Sequence, residues 1–169
     1  MNADKLKALQ APLKQRYREE PGAALITLRA SGTLDASAVS CRVDTGKALV
    51  EAGLHPATGG TGMQACSGDM LLEALAACAG VTLRAVATAL GIEIRSGTVN
   101  AEGDLDFRGT LGVSKDAPVG FQAIRVAFAL ETSANAEQLA SLQKLTERYC
   151  VVAQSLRVMP SFSIEIVNS

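Results

Sequence analysis

The fold of this protein is decided by residues 66–91, which read CSGDMLLEALAACAGVTLRAVATALG. Ser67 is a good N-cap, and Asp69 places a negative charge in the first turn, where the helix dipole favours it. Gly91 readily supplies the left-handed turn that follows a last helical residue. The stretch therefore predicts one helix of about seven turns, which begins at Ser67 and ends before Gly91.

This helix is apolar on almost every side. After the first turn, only Glu73 and Arg84 are charged, and a helix with this pattern is expected to be buried on almost all sides. The uninterrupted apolar run, Ala74 to Leu83, is about half of the ~20 residues that a bilayer span requires. We therefore predict a core helix and no membrane partner, with Cys78 in its middle turn.

Length and charge restrict the class of protein. The chain has 169 residues and a formal net charge of −1, which suits one domain with its own core and argues against a nucleic-acid partner. The first 17 residues are charged throughout and lack the apolar segment of a secretory signal. We expect a cytoplasmic protein, in which a cysteine pair is more often catalytic or metal-binding than structural.

Four cysteines and a single histidine, His55, limit the chemistry of the chain. No two cysteines form a C-x-x-C pair, so the usual spacing of a structural zinc site is missing. The phosphate-binding glycine motifs of nucleotide sites are also missing. We therefore predict no metal and no cofactor.

The N-terminal segment reads as a separate surface helix. Leu6, Leu9, Leu13 and Tyr17 recur at three- and four-residue steps over residues 3–20, with Lys and Arg between them. We predict that residues 1–22 form a helical extension, which lies across the domain or a partner copy, and that residues 23–169 form the main domain.

The main domain mixes strands and helices. Alternating apolar residues predict strands on both sides of the central helix, and a Gly-rich loop over residues 53–62 leads into that helix. Either Ser133 or Asn135 caps a second helix. This order predicts an α+β domain. The predicted strands are two or three within Ala23 to Ala52, one over residues 92–101, one over 124–130 and one over 162–166.

The late helix leaves one alternative open. Its apolar stripe, Leu139, Leu142 and Leu145, continues into Tyr149 and beyond, so one long helix and two abutting helices are both possible. If the chain breaks at Cys150, this residue begins a new helix, and the free N–H groups there are expected to favour its thiolate.

Helix geometry separates the cysteines. Cys66 and Cys78 are twelve residues apart, or roughly 18 Å along a helix, too far for a disulfide. Cys150 reaches Cys78 if the two helices pack together. From the residues alone, Cys78 is either a packing residue or a reactive thiol. Cys41 reads as a small buried residue, and Cys66 either as a cap-region residue or as a third thiol near the site.

Three segments together resemble the OsmC/Ohr family of thiol-dependent hydroperoxide reductases. The first is the double glycine Gly59-Gly60, and the second is the helical pattern of residues 71–83 around Cys78. The third, residues 146–156, resembles the family's late helix that opens on a second cysteine. The resemblance covers about residues 23–167.

The resemblance implies a fold, an oligomer and a reaction. The implied fold is OsmC-like, with antiparallel sheets wrapped around a buried central helix that carries a cysteine, in an intertwined homodimer whose sites lie between subunits. The implied activity is the reduction of organic hydroperoxides in the oxidative stress response. Cys78 would be the peroxidatic thiolate, Cys150 would resolve its sulfenic acid to a disulfide, and an external dithiol would reduce that disulfide.

The resemblance also implies an arginine from the early strands as the activating cation, for which Arg29 and Arg42 are the candidates. The apolar wall of the central helix would receive alkyl chains. The predicted substrate-binding residues are Gly59, Gly60, Leu75 and Val81.

Three departures from the family pattern place the chain in a divergent branch. The glutamate found two positions before the double glycine in the Ohr branch is Ala57 here, with Glu51 or His55 as possible substitutes. The Asn/Ser-Pro that usually starts the central helix reads Cys66-Ser67, and the proline that often follows the second cysteine is Val151. Two alternatives therefore remain: a non-catalytic binding module for a fatty or aromatic ligand, and a thiol redox sensor.

Overall fold

The computed structural model describes residues 2–5, 8, 11, 19, 31–34, 40–44, 49–112 and 114–167, with backbone alone for 31–34, 40–44 and 49. Residues 3–5, 8, 11 and 19 are helical, and the helical extension over residues 1–22 stays a prediction. The predicted boundary between residues 22 and 23 lies outside the described residues and stays a prediction.

After the N-terminal helical residues, the described part of the chain forms seven strands and four helices, which confirms the predicted α+β class. The strands are β1 (Ser31–Leu34), β2 (Ser40–Asp44), β3 (Leu49–Gly53), β4 (Ala65–Cys66), β5 (Ile94–Leu105), β6 (Phe121–Thr132) and β7 (Ser161–Ile166). The helices are α1 (Ser67–Leu90), α2 (Phe107–Thr110), α3 (Ala136–Tyr149) and α4 (Val151–Gln154), and a 3-10 turn spans Pro56–Thr58.

The contacts of the chain divide it into two compact units. Unit 1 comprises Met1–Thr27, Leu75–Glu102 and Ile124–Ser169, and unit 2 comprises Leu28–Ala74 and Gly103–Ala123. The first two turns of α1 therefore belong to unit 2 and the remainder to unit 1. The ends of β5 and β6 that lie nearest to α2 also belong to unit 2.

Unit 2 contains a four-stranded sheet in the order β1-β2-β3-β4. The first three strands pair antiparallel, and their register places Arg42 directly opposite Glu51. The short strand β4 pairs parallel to β3, with Cys66 opposite Gly53. Among the described residues, β1 to β3 begin within the stretch Ala23 to Ala52, where two or three strands were predicted, and β4 is a fourth strand before α1.

Unit 1 contains most of a three-stranded sheet in the order β5-β6-β7. Ion pairs join Arg95 to Glu131 near one end and Glu102 to Arg125 near the other, so β5 and β6 are antiparallel. β6 and β7 pair parallel, because the chain crosses over through α3 and α4 between them. Antiparallel pairing is thus confirmed for three strand pairs, while β3–β4 and β6–β7 are parallel.

The apolar core of the described residues lies in unit 1. Alternate residues of β6 are buried: Ile124, Val126, Phe128 and Leu130. This is the period-two pattern that predicted a half-buried strand. Every buried apolar side chain in the described part of the chain belongs to unit 1.

The central helix α1 ends where the sequence predicts. Gly91 follows its last residue with a φ of +70°, the conformation that glycine adopts without strain. The helix begins at Ser67, within one residue of the predicted cap. Its buried residues form one stripe at four-residue steps: Leu75, Ala79, Leu83 and Ala87.

The other faces of α1 are less covered than the sequence predicts. Val81 lies two residues from both Ala79 and Leu83 and therefore faces away from the buried stripe, and it is 72% exposed. In a single chain the helix is therefore buried along one stripe and not on almost all sides, because the rest of the chain covers only that stripe.

By length and composition alone, α1 also meets the requirement for crossing a bilayer. It has 24 residues, and its most apolar stretch has a mean hydropathy of 1.6, with 28% of that stretch buried. Core helices of water-soluble proteins meet the same requirement, so we retain the expectation of a core helix.

Candidate active site

Cys78 and Cys150 meet inside unit 1, as predicted. Cys78 lies in the middle of α1 and is partly exposed, whereas Cys150 lies between α3 and α4 and is 0% exposed. Both are free thiols, and hydrogen bonding by the Cys150 side chain is one of the influences that lower the pKa of Cys78. Two sulfurs 72 residues apart in sequence are thus direct neighbours in the fold.

The late helix breaks at Cys150, which settles the open alternative in favour of two abutting helices. Cys150 has an extended backbone (φ −72°, ψ 102°), and it is at once the C-cap of α3 and the N-cap of α4. Its N–H donates to the Thr146 carbonyl, and its own carbonyl accepts from Gln154. The first N–H groups of α4 therefore have no partner within the helix and are free to bind another acceptor.

That acceptor is the sulfur of Cys78. Burial alone raises the pKa of the Cys78 thiol, but four hydrogen bonds to the sulfur outweigh burial and leave the pKa below its usual value. The donors are the N–H groups of Val151 and Val152, the thiol of Cys150 and the hydroxyl of Thr82. Each of these donors is uncharged, and each stabilises the thiolate more than the thiol.

Cys150 has the opposite net behaviour, although the predicted influence of the helix start is present. Burial is the largest influence, and the neighbouring Cys78 sulfur adds to it, so the pKa of Cys150 lies above its usual value. The N–H groups of Ala153 and Val152 oppose this shift without reversing it. The start of α4 therefore favours the thiolate of both cysteines, but only at Cys78 is burial outweighed.

The predicted arginines remain untested. Arg29 lies outside the described residues, and only the backbone of Arg42 is described. Glu51 stands opposite Arg42 in the register of β2 and β3. It also accepts a hydrogen bond of 2.8 Å from Gln64. Opposite residues of antiparallel strands have Cβ atoms about 5 Å apart, so Glu51 occupies the position that a carboxylate partner of Arg42 requires.

His55, the other substitute for the missing glutamate, is engaged elsewhere in unit 2. Its Nδ1 accepts a hydrogen bond of 3.0 Å from the Ala57 N–H, and its ring stacks on Phe107. These contacts fix the imidazole at the start of the 3-10 turn.

The four predicted substrate-binding residues have different surroundings. Gly59 ends the 3-10 turn with a φ of +92°, and a Cβ at Gly60 would overlap the Leu54 carbonyl. Both glycines are thus required by the backbone of unit 2. On α1, Leu75 is completely buried, whereas Val81 is exposed. Their roles toward a substrate stay predictions.

Among the described residues, no group of three or more His, Cys, Asp or Glu side chains is arranged to hold a metal ion.

Comparison with protein families identifies the chain. The model of the family described as OsmC-like protein matches residues 60–165, which is more than half of the sequence. This chain belongs to the OsmC-like family. The resemblance drawn from the double glycine and the two cysteines is thereby confirmed. No curated protein matches this OsmC-like chain by sequence.

Solved structures confirm the OsmC-like fold. An OsmC-like protein of Mycoplasma pneumoniae is 15% identical, with a TM-score of 0.69 over 85% of this chain and 99% of its own. An organic hydroperoxide resistance protein, OsmC, of Legionella pneumophila is 16% identical, with a TM-score of 0.64 over 86% and 99% of the two chains. The organic hydroperoxide resistance protein OhrB of Bacillus subtilis is 20% identical, with a TM-score of 0.58 over 85% and 100%. At these identities, the likeness establishes the fold alone.

Sequence reasoning missed the groups that act on Cys78 in this OsmC-like protein. The N–H groups of Val151 and Val152 have no side-chain signature, so no sequence pattern indicates them. Thr82 did leave a signal: it is a polar residue in an apolar helix, and it stands four residues after Cys78, on the same face.

Replacing Thr82 by valine is expected to raise the pKa of Cys78. Valine keeps the shape but removes the hydroxyl that donates to the thiolate. At pH 7 a smaller fraction of the thiol is then ionised, and the rate of Cys78 alkylation falls about tenfold, since a hydrogen bond to a charged group is worth about 1.5 kcal/mol. The measurement is alkylation rate against pH in a chain whose other cysteines are blocked or replaced.

Thr82→Ser is the matched control, because serine keeps the hydroxyl and should retain most of the wild-type rate. A Thr82→Val profile that overlays the wild-type profile would show that the hydroxyl does not stabilise the thiolate.

Proposed function

We propose that this OsmC-like protein is a cysteine-based peroxidase that reduces organic hydroperoxides and thereby serves the oxidative stress response. The observation that carries the proposal is the asymmetric thiol pair. Cys78 has a lowered pKa and is partly exposed, whereas Cys150 has a raised pKa and is fully buried. The two OsmC-like structures named for organic hydroperoxide resistance support the same class of substrate.

The first step uses Cys78. Its thiolate attacks the terminal oxygen of the hydroperoxide, a sulfur–oxygen bond forms, and the oxygen–oxygen bond breaks. The alkoxide leaves and takes a proton from solvent to become the alcohol, while Cys78 becomes a sulfenic acid. Cys78 is suited to this step because its donors stabilise the thiolate at a partly exposed position.

The second step uses Cys150. Its thiol attacks the sulfur of the Cys78 sulfenic acid, the sulfur–oxygen bond breaks, and the hydroxyl leaves as water with the Cys150 proton. Burial and a raised pKa keep Cys150 protonated until that moment, so it does not compete for the peroxide. An external dithiol then reduces the disulfide and returns both thiols.

We also propose Arg42 as the cation of the reaction and Glu51 as the carboxylate that holds it. The register of β2 and β3 supports this pairing, since the two residues stand opposite each other. Glu51 would then replace the glutamate that the family pattern places at Ala57. A reducing cytoplasm, where dithiol reductants are available, is the proposed location.

We propose that a second copy of the chain packs against the exposed side of α1 and buries it. Val81 is 72% exposed although it lies three residues from Cys78, and burying such a residue is worth about 1.5 kcal/mol or more. We propose a homodimer in which the partner shields the apolar surroundings of Cys78.

Replacing Val81 by aspartate is expected to dissociate this dimer. A buried unpaired charge costs about 3 kcal/mol or more, which weakens association by more than about a hundredfold. Light scattering after size-exclusion chromatography should show a dimer for the wild type and for Val81→Leu, and a monomer for Val81→Asp. A wild-type monomer, or a Val81→Asp dimer of wild-type stability, would contradict the proposed interface.

The experiment that tests the function is stopped-flow consumption of cumene hydroperoxide by the reduced protein, with dithiothreitol as the dithiol. Rapid, repeated turnover supports the peroxidase. Oxidation of the thiol pair without turnover would instead indicate a redox sensor, and no loss of thiols would indicate a binding module.

A further inference from the structure

Unit 2 contains a cavity that the proposed peroxidase does not use. Its volume is about 440 Å³, within the range of small-molecule sites. It lies between the end of β3, the first turns of α1 and the connection from β5 to β6. The lining residues that the structure describes all belong to unit 2, whereas Cys78 and Cys150 belong to unit 1.

Aromatic rings form much of the cavity wall. His55 and Phe107 stack with centroids 4.8 Å apart and planes 18° apart, and Phe121 is a third ring. The glycine at position 103 leaves room for the Phe121 ring, because a Cβ on residue 103 would lie 2.6 Å from that ring. The chain has only four phenylalanines. Two of them are buried in unit 1, while these two are partly exposed around open space.

This use of aromatic residues suits a flat ligand. Aromatic side chains that fill a core are buried, as Phe128 and Phe162 are. Half-buried rings that line a cavity offer their faces and edges to another ring, in the offset and edge-to-face arrangements that aromatic pairs prefer.

The polar groups of the cavity restrict the charge of the ligand. The Nδ1 of His55 accepts a hydrogen bond from the Ala57 N–H, so the neutral ring carries its proton on Nε2 and offers a donor there. Asp69 also lines the cavity, and its carboxylate disfavours an anionic ligand. A neutral ligand with a hydroxyl group satisfies both conditions.

We propose that this cavity binds a small, neutral, hydroxylated aromatic molecule, whose ring lies against Phe107 and Phe121 and whose oxygen accepts a hydrogen bond from His55. The site is independent of the proposed peroxidase reaction, so its test does not depend on peroxide chemistry.

Calorimetric titration of the reduced full-length protein with 1-naphthol tests the proposal. We expect one site per chain with a dissociation constant on the order of 10 µM, within reach of a ligand of about eleven non-hydrogen atoms. 1-Methylnaphthalene lacks the hydroxyl, and 1-naphthoate carries a negative charge, so each should bind about tenfold more weakly. Absence of 1-naphthol binding, or equal affinity for all three probes, overturns the proposal.

Substitutions at Gly68 test whether 1-naphthol binds in this cavity. A Cβ at Gly68 would lie 3.6 Å from both the Cys66 sulfur and the Phe121 ring, which is ordinary contact. Gly68→Ala should therefore bind 1-naphthol within about threefold of the wild type. Gly68→Leu fills the cavity and should weaken binding more than about tenfold. Wild-type affinity in a folded Gly68→Leu variant overturns the location.

Cys66 gives a second test that needs no variant. It lines the cavity as a partly exposed free thiol. Saturating 1-naphthol should slow its alkylation by iodoacetamide at least about threefold, measured by peptide mass spectrometry, with 1-naphthoate at the same concentration as control. An unchanged Cys66 rate under saturating 1-naphthol overturns the proposal even if Gly68→Leu fails to fold.

Discussion

Replacing Cys78 by serine is expected to abolish the consumption of cumene hydroperoxide, with a loss of at least about 1,000-fold in rate. A serine hydroxyl is not ionised at neutral pH, so the four donors around position 78 have no thiolate to stabilise. The measurement is stopped-flow consumption of the peroxide under excess dithiothreitol, at equal concentrations of wild type and variant.

Cys66→Ser is the matched control for this loss. Cys66 is also a partly exposed free thiol, but it belongs to unit 2 and lines the cavity there. It should keep the wild-type rate within about twofold. If Cys78→Ser retained the activity and Cys66→Ser lost it, the peroxidatic role would move to Cys66.

Replacing Cys150 by serine is expected to stop turnover with dithiothreitol and to leave the first reaction with peroxide. Each chain should consume about one equivalent of cumene hydroperoxide and then accumulate the Cys78 sulfenic acid, because the resolving thiol is gone. Dimedone labelling followed by mass spectrometry measures this intermediate. Steady-state turnover should fall at least about tenfold, with the residual rate set by direct attack of the external thiol.

The first-step rate of Cys150→Ser distinguishes two roles of this residue. The Cys150 thiol also donates a hydrogen bond to Cys78, and a serine hydroxyl in its place donates as well. The burst of peroxide consumption should therefore remain within about threefold of the wild type. A burst that disappears in Cys150→Ser, with dimedone labelling absent at Cys78, would contradict the assigned division between the two thiols.

Much of the fold could be predicted from the sequence because its signals are local. The Gly91 stop of α1, the alternating apolar residues of β6 and the cap of α3 at Asn135 each depend on a few neighbouring residues. The structure completes that cap with a reciprocal hydrogen bond between Asn135 and Gln138. Such features are expressed in the residue types themselves.

The features that were missed depend on the placement of distant segments. The residues of α1 are small and apolar all round, so the sequence did not indicate which stripe is buried. The parallel pairing of β7 with β6 depends on where α3 and α4 return the chain. The position of Glu51 opposite Arg42 follows from strand register, which the residue types of β2 and β3 alone do not specify.

The candidate site also combines features that the sequence could predict with features that it could not. Family patterns identified Cys78 and Cys150 as its two thiols, and the apolar stripe beyond Tyr149 raised the possibility of a helix break. The direction of the two pKa shifts depends instead on the balance at each sulfur between burial and the N–H groups at the start of α4, and Val152 acts on both sulfurs. A backbone donor is present at nearly every residue, so only the folded structure reveals which ones act.

The most direct test of the thiol-pair mechanism is peptide mapping of the reduced wild-type protein after one equivalent of cumene hydroperoxide, without added dithiol. We predict the loss of two of the four thiols of each chain and one disulfide, between Cys78 and Cys150 of the same chain. Four thiols that survive the treatment, or a disulfide that excludes either of these cysteines, would contradict the mechanism.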